Sequence, residues 1–181
     1  FKIQKNNKYR IIRIWNIFTS RDSFIKRILY YVSFMISVIF RGLLLSKPDI
    51  YLASSPSLFV GLAGYVLSKL KNKPLVLDIR DLWPESAIEL GQIKSVYAKN
   101  ISFYLQYIIY KQTRVFITAV PGMKDYMVNN NKVVNKPILP LINGISFDFF
   151  NKIKESEKKI DDVIKIVYSG NLGLAQDITT I

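Results

Sequence analysis

The stretch LVLDIRDLWPES, residues 75–86, changes character at its middle. The first five residues are apolar except for Asp78, and the next seven hold Arg80, Asp81, Trp83, Pro84 and Glu85. A short apolar run bounded by turn residues reads as a buried strand. The polar half then reads as the loop leaving that strand.

The neighbouring segments decide which kind of sheet holds it. YLAS (51–54) precedes SLFVGLAGYVLSKLKN (57–72), where Ser57 is placed to cap a helix and Leu58, Leu62, Tyr65 and Leu70 recur near helical spacing. PLVLDI (74–79) is followed, after the loop, by SVYAKNISFYLQYIIYKQT (95–113), with Tyr97, Ile101, Tyr104, Leu105 and Ile108 on one face. RVFITA (114–119) leads into PGMKDYMVNNN, whose Pro121 suits a first helical turn. PILPLI (137–142) is the next strand, which Pro140 weakens or moves to an edge. Strands that are continuous apolar runs alternating with helices predict an α/β fold: a Rossmann-like parallel sheet with helices on both faces. Ligands of such sheets bind at the carboxyl ends of the strands, where RDLWPES would lie.

The pattern breaks at NKIKESEKKIDD (151–162), with four basic and four acidic side chains, which reads as a solvated linker. VIKIVYSGNLGLAQ (163–176) then begins a second strand-turn-helix unit. The expected organisation is a first Rossmann-like domain over 1–150, a linker over 151–162 and the start of a second such domain over 163–181. Phe1 is not an initiator methionine, and the chain reads as cut at both ends.

Composition narrows the chemistry. The 181 residues hold no Cys and no His, which removes disulfides, thiolate metal sites and the usual general base. The net charge is +13, from 26 Lys and Arg against 13 Asp and Glu, and residues 1–50 hold ten basic side chains against two acidic ones. Anionic partners would dock there. Within this basic quarter, ILYYVSFMISVIF (28–40) is too short for a span of about 20 residues. It reads either as a buried helix or as a helix lying on an anionic membrane surface.

Each polar motif has a structural and a functional reading. Ser54, Ser55 and Ser57 either cap a helix or hold a phosphate or sugar, with Gly61 and Gly64 allowing close helix-sheet packing. Arg80 pairs with Asp81 or Glu85 for structure, or the carboxylates accept sugar hydroxyls and serve as a base. Trp83 fills a gap beneath the loop or offers a stacking face to a sugar ring, and Pro84 stiffens the corner. SGNLG (169–173) is either turn geometry or an amide cradle for phosphate. Lys124 reads as a solvated lysine or an anion contact, Asn143-Gly144 as a tight turn, and Phe147, Phe149 and Phe150 as an interdomain wedge.

Taken together, SPSLFVGLAGYVLSKL, PLVLDIRDLWPESAIELG, VPGMKDYM, INGISFDFF and YSGNLGLAQD resemble, in order and spacing, family 4 glycosyltransferases. The resemblance is to the WbuB-like branch, similar to N-acetylfucosamine transferases of bacterial surface polysaccharide assembly, and covers roughly residues 10–181. It implies a GT-B fold with two Rossmann-like domains and a retaining, metal-free, cofactor-free transfer from a nucleotide sugar, typically UDP-linked. The implied acceptor is a lipid-linked saccharide or polysaccharide at the inner face of the cell membrane, with the protein cytoplasmic and peripheral. Carried onto this chain, Asp81 becomes the catalytic residue, with Arg80, Trp83, Glu85, Ser54 and Ser55 on the acceptor side. Gly170, Asn171, Leu172 and Gly173 face the donor diphosphate. The chain departs from the family pattern at Ala119-Val120-Pro121-Gly122 and at Ile142-Asn143-Gly144-Ile145-Ser146. This piece by itself is expected to be inactive. The alternative reading is a basic membrane- or nucleic-acid-binding module without catalysis, although no aromatic-interleaved nucleic-acid motif is present and nucleic acid is not expected. A nicotinamide oxidoreductase lacks its full glycine fingerprint here.

Overall fold

Residues 75–79 form a strand at the interior of a four-stranded parallel sheet. The computed structural model describes residues 2–5, 9–17, 23–130, 133, 135–155, 167, 169 and 170. The chain divides into two units, 1–142 and 143–181. The first contains β1 (Lys2–Lys5), β2 (Arg10–Arg13), α1 (Phe24–Leu43), β3 (Tyr51–Ser55), α2 (Leu58–Leu70), β4 (Leu75–Ile79), α3 (Glu85–Glu89), α4 (Val96–Gln112), β5 (Thr113–Thr118), α5 (Pro121–Asn129) and β6 (Ile138–Pro140). The second contains α6 (Phe147–Glu155). Strand order is β3-β4-β5-β6, all parallel, and β1 pairs with β2 as a separate antiparallel hairpin. This is an α/β fold, a parallel sheet flanked by helices in the Rossmann-like manner.

The two-residue alternation of β4 organises the core. Leu75, Leu77 and Ile79 are 0, 2 and 3% exposed, and they join Ala53, Ile109, Phe116, Met127 and Ile138 in one cluster. Val76 and Asp78, on the opposite face of the strand, are half-buried. Register places Leu77 between Ala53 of β3 and Phe116 of β5. Each buried apolar side chain of this size contributes roughly 1.5–3 kcal/mol.

Helix α2 reaches the sheet closely because Gly64 has no side chain. A Cβ there would stand 2.8 Å from the Cβ of Ala53 and 3.1 Å from Leu75 Cδ1. The buried residues of α2 are Leu58, Gly61, Ala63, Gly64, Leu67 and Ser68, so small residues share the interface with the expected stripe, of which Leu58 is buried, Leu62 and Tyr65 pack partly buried against the core, and Leu70 is exposed. On α4 the expected face divides: Tyr97, Ile101 and Tyr104 are exposed, Leu105 and Ile108 pack partly buried against the core, and Gln106 and Ile109 are buried. The carboxyl end of α4 is held by Lys136, whose Nζ donates to the carbonyls of Tyr110, Lys111 and Thr113, each at 2.7 Å. Burial, then the nearby Arg114, pulls the pKa of this lysine down from the ordinary value.

Helix α1 contains the apolar run 28–40 but has no fully buried residue. It lies against α2, with Tyr31 stacked on Phe59, and exposes Ile25, Leu29, Ile36 and Phe40. Among the described residues no helix is long and apolar enough to cross a membrane. In the second unit, Phe147, Phe149 and Phe150 are exposed, and α6 includes residues 151–155, so the first part of the expected linker is helical. Asn143 and Gly144 lie in irregular chain rather than in the expected turn. Apart from Val167, Ser169 and Gly170, the expected unit over 163–181 lies outside the described residues.

Gly64→Val is expected to cost about 1–3 kcal/mol by overpacking α2 against β3 and β4. Gly122→Ala, where an added Cβ meets nothing within 4 Å, is expected to leave stability essentially unchanged. Urea denaturation of the two variants measures the difference; equal midpoints would contradict the close contact.

Candidate functional site

Parallel pairing brings the carboxyl ends of β3 and β4 side by side, with Ser54 opposite Asp78. Ser54 Oγ donates to Asp78 Oδ2 at 2.7 Å, and Arg80 Nε pairs with the same oxygen at 3.2 Å. Asp78 is thus a partner of Arg80 that the sequence reading did not name. The reason is reach: residues two apart on an extended strand project to the same side. The carboxylate is largely buried, the guanidinium is more open, and the cluster faces the end of the sheet with one hydroxyl and one cation.

Asp81 is exposed and makes no hydrogen bond or ion pair among the described residues. It lines a tight cavity of about 20 Å³ with Ser55, Leu77, Trp83 and Tyr110. Of the carboxylates in RDLWPES, it is the one left available to a ligand. Glu85 is turned inward. It is buried, and both carboxylate oxygens accept from Gln106 Nε2 at 3.0 Å, while the same amide donates to the carbonyl of Trp83 at 3.0 Å. One side chain of α4 therefore holds the corner that follows β4, whose Trp83-Pro84 peptide is cis. Burial, reinforced by the Glu85 carboxylate, raises the pKa of the neighbouring Tyr110 phenol and keeps it neutral.

Trp83 is half-buried against the core rather than displayed as an open stacking face. It forms part of the wall of a second cavity of about 380 Å³ beside the first turns of α1, α2 and α4. The serines separate by role. Ser54 is exposed, while Ser55 is buried and donates to the Ser57 carbonyl at 2.6 Å within the turn. Ser57 stands at the N-cap of α2 without the expected side-chain cap. Its hydroxyl, like that of Thr118 at the end of β5, is buried and makes no hydrogen bond among the described residues.

The structure thus brings Ser54, Arg80, Asp81 and Trp83 to one end of the sheet, and gives Ser55 and Glu85 internal partners. Asp78 and Gln106 are the residues whose organising roles exceed what their sequence positions disclosed. Gln106 carries no signal beyond a polar residue on the inward face of a helix. Of the expected donor residues, Gly170 is described and exposed, and Asn171, Leu172 and Gly173 lie outside the described residues. No group of three or more Asp, Glu, His or Cys that could hold a metal ion occurs among the described residues.

A larger cavity, about 880 Å³, lies away from this cluster, beside β2, the second half of α1 and the start of β3. It adjoins the outer edge of β3, which pairs with no strand among the described residues. The bonds from Tyr51 N to the Pro74 carbonyl and from Arg80 N to the Ser55 carbonyl orient Tyr51 and Ser55 toward β4, so Leu52 and Ser54 present their backbone groups to the other side. This larger cavity shares no lining residue with the one that Asp81 lines. No protein-family profile matches the chain, and no curated protein matches it.

Gln106→Leu removes the amide shared by Glu85 and Trp83, and a buried group deprived of its partner costs about 1–3 kcal/mol. Denaturant unfolding should show that loss. A midpoint equal to that of the parent would mean that the corner is held by other contacts.

Proposed function

We propose that this chain supplies the acceptor-side domain of a retaining glycosyltransferase, of the family 4 type its motifs resemble, working at a membrane surface. The observation that carries the reading is the available Asp81 beside the Ser54-Asp78-Arg80 cluster, at the carboxyl ends of adjacent parallel strands. In this reading Asp81 holds the attacking hydroxyl of a lipid-linked saccharide. Arg80 lends positive charge, Ser54 a polar contact, and Trp83 an apolar wall. Gly170, Asn171, Leu172 and Gly173 belong to the donor side, where backbone amides would hold the diphosphate of a UDP-sugar.

Transfer breaks the bond from the sugar's anomeric carbon to the donor phosphate oxygen and forms one from that carbon to the acceptor oxygen, on the same face. The acceptor proton passes to the departing phosphate oxygen, and the nucleoside diphosphate leaves. A chain without histidine needs no dedicated base for this route, because the leaving group serves as one. Stabilising the charge on that leaving group is then the principal catalytic task.

The membrane part of the reading rests on α1. Its apolar stripe of Ile25, Leu29, Ile36 and Phe40 is exposed, Lys26 and Arg27 lie near its start, and Arg41 is in its last turn. An amphipathic helix of this kind lies in the interface of an anionic bilayer, each basic residue contributing about 1 kcal/mol. That position is peripheral, on the cytoplasmic face where nucleotide sugars are available.

In the polypeptide that joins this domain to its donor-side partner, Asp81→Asn should lower kcat/KM for sugar transfer by roughly 10- to 150-fold, the equivalent of a hydrogen bond to a charged group. Radiolabelled UDP-sugar turnover measures it. An unchanged rate removes Asp81 from the site.

A further inference from the structure

Helix α1 is a 20-residue apolar element that packs against α2 yet has no fully buried residue. Its Phe34, Val38 and Arg41, which recur at helical spacing, line the cavity of about 880 Å³. Two strand edges form the other walls. One is β3, whose Leu52 and Ser54 turn their backbone groups away from β4 and meet no strand on that side among the described residues. The other is β2, which pairs with β1 and with no second strand among the described residues. Ile12 and Ile14 line the same space, and both are less exposed than their neighbours Ile11 and Arg13, the alternation of an extended segment covered on one side. The lining holds three cations, Arg10, Arg13 and Arg41, and no carboxylate.

An open edge of a parallel sheet is a template for a further strand. Three features select what this edge takes: outward backbone groups, apolar side chains above them, and positive charge on the walls. A hydrocarbon chain would use only the second, and a free phosphate only the third. An extended peptide uses all three, with main-chain bonds to Leu52 and Ser54, apolar side chains against Phe34 and Val38, and carboxylates toward the arginines. A second copy of this chain has the wrong charge, +13 overall, with ten basic side chains against two acidic ones in residues 1–50. We propose that this slot takes up an extended apolar-acidic segment of a partner protein, which adds to β3 as a fifth strand of the sheet. The proposal does not depend on the glycosyltransferase reading, and its test contains no sugar or nucleotide.

The probe is a fluorescein-labelled peptide of about eight residues, alternating Val and Glu, titrated by anisotropy into the 181-residue chain. Saturable binding is expected, together with slowed hydrogen exchange at the Leu52 and Ser54 amides, the sign of main-chain pairing. The same peptide N-methylated along its backbone keeps its charge and side chains but loses its donors, and should not bind. Leu52→Pro removes the outward amide of β3 while sparing the bonds of Tyr51 and Ser55 to β4, a change that edge strands accept. It should weaken binding roughly three- to tenfold with the circular dichroism spectrum unchanged. Arg10→Glu, at an exposed position of β2, should also weaken it. If Leu52→Pro does not fold, the N-methylated peptide decides by itself. Absence of saturable binding, binding without protection of Leu52 and Ser54, or equal affinity of the N-methylated peptide would overturn the proposal. Displacement by phosphatidylglycerol vesicles as effective as that by unlabelled peptide would overturn it in favour of a lipid surface. Self-association of the chain that excludes the peptide would overturn it in favour of a second copy.

Discussion

The period of two along β4 constrains most of the molecule. Because Leu75, Leu77 and Ile79 must meet the helices, Asp78 is carried to the opposite face, where Ser54 and Arg80 meet it. A shift of one residue would bury Asp78 and expose three core side chains. The same strand ends where the sheet ends, so Asp81 and Trp83 emerge beside the β3 terminus without further guidance. Packing and site geometry are therefore consequences of one register.

That register holds because the layers on either side of it are close. Gly64 lets α2 come within contact of Ala53 and Leu75, and Gln106 ties α4 to the corner after β4 through Glu85 and the Trp83 carbonyl. The two contacts act at different places. Removing the first would lift a helix from the sheet, whereas removing the second would loosen the loop that bears Asp81 and leave the sheet intact.

Strand and helix order was legible in the sequence because apolar runs and helical segments alternate without interruption between residues 51 and 142. Pro121 began a helix and Pro140 marked an edge strand, each for its local backbone reason. Helix faces were less legible. Spacing alone finds a stripe on α4 but cannot tell that only its Leu105 and Ile108 side meets the core, nor that Gln106 lies inward, where its amide donates to Glu85. The hairpin of β1 and β2 was not anticipated from the sequence, because RIIR sets two apolar residues side by side instead of alternating them with polar ones. At the site, the sequence placed RDLWPES correctly at a strand end, yet three nearby carboxylates looked interchangeable. Three dimensions separate them: Asp78 organises, Glu85 is internal, and Asp81 is available.

The glycosyltransferase reading joins this available carboxylate to an exposed amphipathic helix, both within the first unit. Its central claim is that sugar is moved from a soluble nucleotide to a lipid. The direct measurement is to incubate membranes bearing the two-domain enzyme with radiolabelled UDP-N-acetylsugar and to partition the products between butanol and water. The account predicts label in the butanol phase, released by mild acid as expected of a glycosyl diphosphate lipid. Label confined to water, or no transfer with any UDP-sugar, would contradict it.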